Sequence, residues 1–334
     1  MVFCACLWHS ELFLIGKAPF EKTCSRTTPR SDRGTLLTGD GVMENATIQL
    51  GSHASLHVYL PARPAAPLMA AIIVPGGSYR PGPFGWCKTA EGSDVALQLA
   101  REGITGIVLH YRLPAGRPHV PLEDALRALE VVKTGSSSLP PMKAVGIIGF
   151  SAGGHLAALA STRYTSRAQR PAFTVLFYPV ISMQNFTHTN SKLEYLGAQP
   201  SEALEVAYSA DRQVSEDSPP SLLIHARDDR IVDPRSSRLY YDACDTHTVS
   251  SMLVELEAGG HPFVNKPKVW QSAWTVALLW MCSRLTQKGA YSMAMCANGA
   301  SQTSSLRRQL LRVPGVAAVW QTQLAKSKST YSGS

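Results

Sequence analysis

The stretch "GFSAGGHLA", residues 149–157, follows the apolar run "AVGII" and leads into a segment dominated by Ala and Leu. A short apolar run rich in Val and Ile reads as a buried strand, and the residues from Ala152 onward read as a helix. Ser151 therefore falls in the turn between them. A tight strand-to-helix turn strains the backbone of its central residue, and Gly149 and Gly153 lack the β-carbons that would collide there. The hydroxyl is pushed out above the sheet. The amide of Ala152 comes to the helix N-terminus, where unpaired N–H groups and the helix dipole favour developing negative charge. The alternative is a Gly/Ser connector without chemistry, and the rest of the chain bears on the choice.

The same alternation extends to both sides. The runs "SLHVYL", "AAIIV", "TGIVLHY", "AVGIIGF", "FTVLFY", "SLLIHA" and "SSMLVELE" read as strands. Between or after them, residues 91–101, 122–133, 152–162, 234–244 and 268–285 carry helical patterns. Strands alternating with helices predict an α/β fold with a doubly wound, mostly parallel sheet covered on both faces. In such sheets ligands bind beyond the carboxyl ends of the strands, which is where Ser151 is expected. The long polar stretch 182–220, with "KLEYLGAQPSEALEVAYS", predicts a small helical cap over those ends. Residues 1–44 read as an irregular extension, 45–286 as the catalytic domain, and 287–334 as a basic, disordered tail.

Charge and cysteine usage narrow the class. The chain has 334 residues, 45% of them hydrophobic, enough to bury a large core. Its net charge of +8 would suggest nucleic acid as a partner until it is located: six Lys or Arg and no Asp or Glu lie between Thr286 and Ser334. The body is nearly neutral, so the tail reads as a solvated extension and no nucleic-acid partner is expected. Seven cysteines without a CxxC pair do not read as a disulfide framework, and Cys4 and Cys6 are too close for an ordinary zinc pair. No metal is expected. No apolar stretch approaches the roughly 20 residues that a membrane-spanning helix needs. The opening residues lack the basic start of a secretory signal, and the segment from Lys17 to Arg33, although rich in Lys, Arg, Ser and Thr, carries Glu21 and Asp32. A cytoplasmic location is the expectation.

A serine hydroxyl is a weak nucleophile unless an imidazole takes its proton and a carboxylate orients that imidazole. "EAGGHPF" places His261 in a Gly-rich loop after the last strand. "HARDDRIVD" follows "SLLI" and offers Asp228, Asp229 and Asp233. The order Ser, Asp, His is one of the known triad orders. A small residue, two positions, Asp, two positions and Val puts the acid at Asp229, with Asp228 as runner-up and Asp233 as a helix cap before Pro234. A second amide for a developing oxyanion should come from "IIVPGGSYRPG", whose glycines let the backbone approach a substrate closely.

With "VPGGSY", "PLEDALRALEVV", "VGIIGFSAGGHLAA", "YPVIS", "SPPSLLIHARDDRIV" and "GGHPF" in one order, the chain resembles the esterase/lipase group of α/β hydrolases that includes acetyl esterases and acetylxylan esterases. The resemblance runs from about Asn45 to Leu285. It implies a carboxylic-ester hydrolase without a cofactor, acting on a small-molecule ester, with Ser151 as nucleophile, Asp229 as acid and His261 as base. It also implies an oxyanion hole from Gly77, Ser78 and Ala152. Relatives usually have glycine where this chain has Ser78, and commonly glycine where it has Pro262. Glu91 and Arg112 match recurring family positions and read either as ion-pair members or as substrate contacts. Trp86 is a candidate pocket residue, and His155, His110 and His225 read as packed histidines. An arylformamidase on the same triad and a non-catalytic ligand-binding protein are the alternative functions.

Overall fold

The sheet grows outward from β4 (Met69–Val74), which lies between β5 (Thr105–His110) and β6 (Ala144–Phe150) and runs parallel to both. The computed structural model describes residues 36–37, 43–51, 53–62, 69–81 and 89–286. Among them the strand order is β1-β2-β3-β5-β4-β6-β7-β8-β9. From β6 the sheet continues in parallel through β7 (Thr174–Phe177), β8 (Ser221–Ala226) and β9 (Ser251–Leu256). Beyond β5 lie three antiparallel strands, β3 (Ser55–Leu60), β2 (Met43–Gln49) and the short β1 (Leu36–Leu37).

The parallel strands follow from helical crossovers that return the chain to the same end of the sheet. Helices α1 (Ser93–Arg101), α2 (His119–Thr134), α3 (Ser151–Thr162) and α6 (Arg235–Thr246) supply them, and α7 (Pro267–Thr286) follows the last strand. Alternate residues of each central strand enter opposite cores. Ile72, Val74, Ile147 and Leu176 pack with Leu129 of α2, Leu156 of α3 and Tyr240 of α6. Ile73, Ile148, Phe150 and Phe177 pack with Leu99 of α1 and Trp270, Trp274 and Trp280 of α7. Burying each such aliphatic or aromatic side chain is worth about 1.5–3 kcal/mol. Both faces are therefore covered, as the near-continuous apolar runs of these strands require.

The expected mostly parallel, doubly wound α/β sheet is present, and so are all seven strands read from Ser55 onward. Two further strands precede them. "MENATIQ" does not read as a strand because it pairs on the antiparallel side of the sheet, where one buried face suffices, and a register shift between Glu44 and Ala46 breaks its alternation. The sheet thus begins inside the stretch read as an irregular extension.

Between β7 and β8 the chain forms α4 (Thr189–Leu196), α5 (Glu202–Ala207) and a 3₁₀ turn at Ala210–Gln213. Ser201 caps α5 by accepting the Leu204 N–H at 3.2 Å. Tyr195 is buried and Tyr208 nearly so, and their rings fix this segment to α3 beside His155. Among the described residues no helix is long and apolar enough to cross a membrane. Cys4, Cys6, the Lys17–Arg33 segment, Trp86 and the basic tail lie outside the described residues.

Candidate active site

Connections from β4 lead to one side of the sheet and those from β6 to the other. Their carboxyl ends therefore flank the crevice where such sheets bind ligands. Ser151 stands there, directly after β6, with φ +51°. That left-handed conformation is costly for a residue with a side chain. Gly153 is needed because a β-carbon there would overlap the carbonyl oxygens of Val74 and Pro75, which are backbone atoms that cannot swing aside. Gly149 lies equally close to the helix, where a β-carbon would sit 2.6 Å from both Ala157 Cβ and the Gly153 oxygen. The Ser151 carbonyl accepts the Val180 N–H at 3.0 Å, which ties the turn to the chain beyond β7.

His261 reaches this turn from the loop after β9. Its Nε2 lies 3.0 Å from Ser151 Oγ, and its Nδ1 lies 2.8 Å from Asp229 Oδ2. A carboxylate only accepts, so Nδ1 carries the proton and Nε2 presents a lone pair to the serine hydroxyl. Asp229 is buried after β8, and all of its partners are donors. Oδ1 accepts the N–H groups of Ile231 at 2.8 Å and Val232 at 3.0 Å, and Oδ2 accepts from His261 and from His225 Nε2 at 3.1 Å. Burial opposes its ionised form, but the hydrogen bonds from His225, His261 and the backbone outweigh it and hold the carboxyl well below the usual range.

His225 is buried as expected, yet it touches the acid. Its Nε2 also faces Val232 O at 3.1 Å, so this nitrogen carries the proton, while Nδ1 accepts from Ser237 Oγ at 2.7 Å. The neighbouring aspartates act elsewhere. Asp228 is exposed, and its Oδ1 accepts the N–H groups of Gly259 at 2.8 Å and Gly260 at 2.7 Å, fastening the loop that carries His261. Asp233 accepts the Arg235 N–H at 2.9 Å at the start of α6.

On the other side of Ser151 lies the loop after β4. A β-carbon on Gly76 would sit 2.8 Å from Ser151 Cβ and 2.9 Å from the Phe150 carbonyl oxygen, so this loop packs directly on the serine turn. Three successive residues of this loop have positive φ: Gly77 at 112°, Ser78 at 55° and Tyr79 at 61°. Ser78 thus holds a conformation in which glycine would be unstrained. The Gly76 N–H is taken by Glu91 Oε2 at 2.8 Å, whereas among the described residues the N–H groups of Gly77 and Ser78 have no acceptor. Ala152 lies in the first turn of α3, where an amide has no partner within the helix.

Side chains beneath the loop hold it. Tyr79 is buried, and its hydroxyl donates to His155 Nδ1 at 2.7 Å, because His155 Nε2 faces the Tyr208 carbonyl at 2.7 Å and carries the proton. Burial lowers the His155 pKa to about 4, so the ring is neutral. Tyr111 donates to the Pro75 carbonyl at 3.0 Å. Glu91 makes no ion pair among the described residues. It accepts the Gly76 N–H and the Tyr178 hydroxyl at 2.9 Å, and burial raises its pKa against those bonds. The Tyr178 ring meets His261 edge-on, with centroids 4.7 Å apart. Glu91 therefore touches both walls of the site through one carboxyl group. Arg112 is an ion-pair member, bound to Asp124 at 2.7 Å. His110, at the end of β5, is only partly buried. Among the described residues no group of three His, Cys, Asp or Glu is placed to hold a metal ion.

Sheet order, strained serine turn and covered faces define the α/β-hydrolase fold, and comparison with known proteins agrees. Residues 56–243 match BD-FAE, and the chain belongs to that family. It is 34% identical over 217 residues to an acetylxylan esterase of Xylanibacter ruminicola, covering 63% of this chain and 44% of that protein. It is 28% identical to endo-1,4-beta-xylanase B of Butyrivibrio fibrisolvens over 52% of this chain and 29% of that protein. The chain thus spans less than half the length of either relative. Among solved structures, an acetyl ester-xyloside bifunctional hydrolase from Caldicellulosiruptor lactoaceticus is 31% identical with a TM-score of 0.61, covering 72% of this chain and 89% of that one. A carboxylesterase from Lactobacillus plantarum, 19% identical with a TM-score of 0.58 over 74% of this chain and 98% of that one, shares the fold.

Proposed function

We propose that the chain is a carboxylic-ester hydrolase that cleaves small acyl esters, acetyl first, through an acyl-enzyme on Ser151. The observation that carries this reading is the His261 imidazole, which lies within hydrogen-bond reach of Ser151 Oγ on one side and Asp229 Oδ2 on the other. In the first half-reaction Ser151 Oγ attacks the ester carbonyl while its proton passes to His261 Nε2. The imidazolium is stabilised by the ionised Asp229. The carbonyl oxygen becomes an oxyanion facing the N–H groups of Gly77, Ser78 and Ala152, each worth about 3–4 kcal/mol of transition-state stabilisation. Collapse breaks the bond to the alcohol oxygen, which leaves with the proton from His261. In the second half a water gives its proton to His261 and attacks the acyl carbonyl, releasing the acid and restoring Ser151.

The acetylxylan esterase and acetyl ester-xyloside relatives support acetylated sugars as the substrate class. The test pairs a fluorophosphonate probe with a panel of acetyl esters and N-formylkynurenine. Labelling at Ser151 together with acetyl-ester turnover is expected. Faster turnover of the N-formyl compound would replace the esterase reading with a formamidase, and absence of labelling would leave a binding protein.

A further inference from the structure

Glu91 takes no part in the proton transfers of the triad, yet it grips both walls of the site. Its Oε2 accepts the Gly76 N–H at 2.8 Å, and its Oε1 accepts the Tyr178 hydroxyl at 2.9 Å. The first contact belongs to the peptide bond that joins Pro75 to Gly76, and the carbonyl of that same bond accepts from the Tyr111 hydroxyl at 3.0 Å. The peptide that leads into the Gly77 and Ser78 amides is thus clamped at its donor and at its acceptor. The second contact fixes a buried ring. Tyr178 holds φ +38°, a strained conformation that persists only where the surroundings impose it, and its ring stands edge-on to His261 with Phe263 on it at 4.6 Å between centroids.

A carboxylate is a costly choice for fastening. Glu91 has no ion-pair partner among the described residues, and withdrawing an unpaired charge from water is unfavourable, whereas a neutral amide oxygen could accept the Gly76 N–H without that cost. Burial accordingly raises the Glu91 pKa, and the two hydrogen bonds and the charge of His261 work against burial. That last interaction is mutual: an anion at Glu91 favours a positive imidazole as the imidazole favours the anion. Around the pair, Glu91 faces Gly76, Tyr178 and Tyr111. His261 has Asp229 and Tyr178 against it, and His188, from the segment after β7 and with Arg80 near it, is close enough to feel its charge.

We propose that Glu91 is a positioning residue for the ester cleavage and acts as an anion: one oxygen fixes the loop that presents the Gly77 and Ser78 amides, and the other, through Tyr178, fixes the His261 ring and stabilises the positive charge it takes up. The proposal rests on the esterase reading. It gives the carboxylate a task that loop fastening alone does not require.

The experiment follows kcat and KM for 4-nitrophenyl acetate against pH, with active sites counted by fluorophosphonate titration so that misfolded protein does not enter kcat. Glu91→Gln keeps a carbonyl oxygen for the Gly76 N–H and removes the charge and the acceptor for Tyr178. Plateau kcat should fall about tenfold, less than for loss of an oxyanion donor itself, with KM held within about twofold. The acid limb of kcat should move to lower pH by about half a unit or more, because the neutral imidazole loses a nearby anion that favours its protonation and because Glu91 itself no longer titrates. Tyr178→Phe, which keeps the ring against His261, should move both quantities in the same direction, and adding it to Glu91→Gln should cost little more. The limb shift should persist in a His188→Gln background, where His188 cannot titrate. A loss of kcat without a limb shift, as a mere fastener of the loop would give, overturns the proposal, and so does an unchanged kcat per titrated site. If Glu91→Gln does not fold, Tyr178→Phe decides alone: a fall with a shift upholds the proposal, and unchanged values overturn it. If the unmodified chain hydrolyses no acetate, the esterase reading fails by itself. The rate at which fluorophosphonate labels Ser151 then decides for Glu91: slower labelling in Glu91→Gln upholds its role, and equal rates or no labelling of either protein overturn it.

Discussion

Asp229→Asn should abolish most of the activity, and the reason lies in which oxygen each donor uses. Oδ1 accepts two backbone N–H groups, from Ile231 and Val232. An asparagine at 229 must turn its carbonyl oxygen toward them, since the backbone cannot become an acceptor there. Its NH₂ group then takes the place of Oδ2 and faces His261 Nδ1, which now carries a proton. Two donors cannot share that contact. The imidazole shifts its proton to Nε2 and uses Nδ1 to accept from the amide, so the nitrogen facing Ser151 Oγ no longer has a lone pair. A triad locked in the wrong tautomer loses roughly 10⁴-fold in kcat. Asp228→Asn is the control. The acceptor for Gly259 and Gly260 survives in the asparagine carbonyl, so its loss should stay within about two- to threefold, as at an ordinary surface position. Both variants would be assayed on 4-nitrophenyl acetate, with the His261 ring nitrogens followed by ¹⁵N NMR to read the tautomer directly. A larger loss in Asp228→Asn, or an Asp229→Asn protein keeping a tenth of its kcat with Nδ1 still protonated, would refute the reasoning.

Three further outcomes can be checked with the same protein. Ser151→Ala should lose several orders of magnitude in kcat and melt no lower than the unmodified chain, because alanine removes one hydroxyl at the site and leaves the turn intact; near-normal turnover would displace the nucleophile. Gly153→Ala should lower the free energy of urea unfolding by about 3 kcal/mol or prevent folding, since its β-carbon would meet two backbone oxygens; an unchanged midpoint would mean that α3 can move away from the loop after β4. The third outcome is a pH dependence from His155, whose pKa burial lowers to about 4 against about 6.5 in the unfolded chain. The unfolded state binds a proton between those values and the folded state does not, so stability is full above about pH 6.5 and falls by about 3 kcal/mol as the pH drops toward 4. Urea midpoints measured across that interval should slope for the unmodified chain and flatten for His155→Gln; parallel slopes would rule out His155 as the source.

The legible parts of this protein were those where a local rule has a local cause. "AVGIIGFSAGG" names its own turn because the strand must be apolar on both faces and the glycines must make room for backbone. Spacing alone singles out Asp229 over Asp228, and the folded chain gives the two different surroundings: Asp229 is buried against imidazoles and Asp228 holds a loop. What the sequence hides is contact between distant positions. Glu91 precedes α1 and meets Tyr178, which stands after β7, so nothing in either neighbourhood indicates that one carboxylate joins the Gly76 loop to the ring packed on His261. His225 sits in a strand and reads as core, which it is; its second role appears only when the chain after β8 folds Asp229 back onto the same ring four residues earlier.

The strained backbone around Ser151 shows how these distant contacts and the local turn depend on each other. Ser78, Tyr79 and Ser151 all hold positive φ without being glycine, and each such residue costs on the order of 1 kcal/mol or more. Strain of that size persists only where the surroundings over-determine it, and here they do so from below the site. The Tyr79 ring is buried against Tyr111 and Tyr195, its hydroxyl is fixed on a neutral His155, and that imidazole is fixed on a carbonyl of the segment between β7 and β8. A chain of aromatic contacts and two buried hydrogen bonds thus links that segment to the amides of Gly77 and Ser78. Serine is held in its strained conformation at 78 because the next residue anchors the loop in the core. On the proposed esterase mechanism, donors held in this way would need little reorganisation as charge develops on the substrate oxygen, which is the condition under which hydrogen bonds contribute most to catalysis.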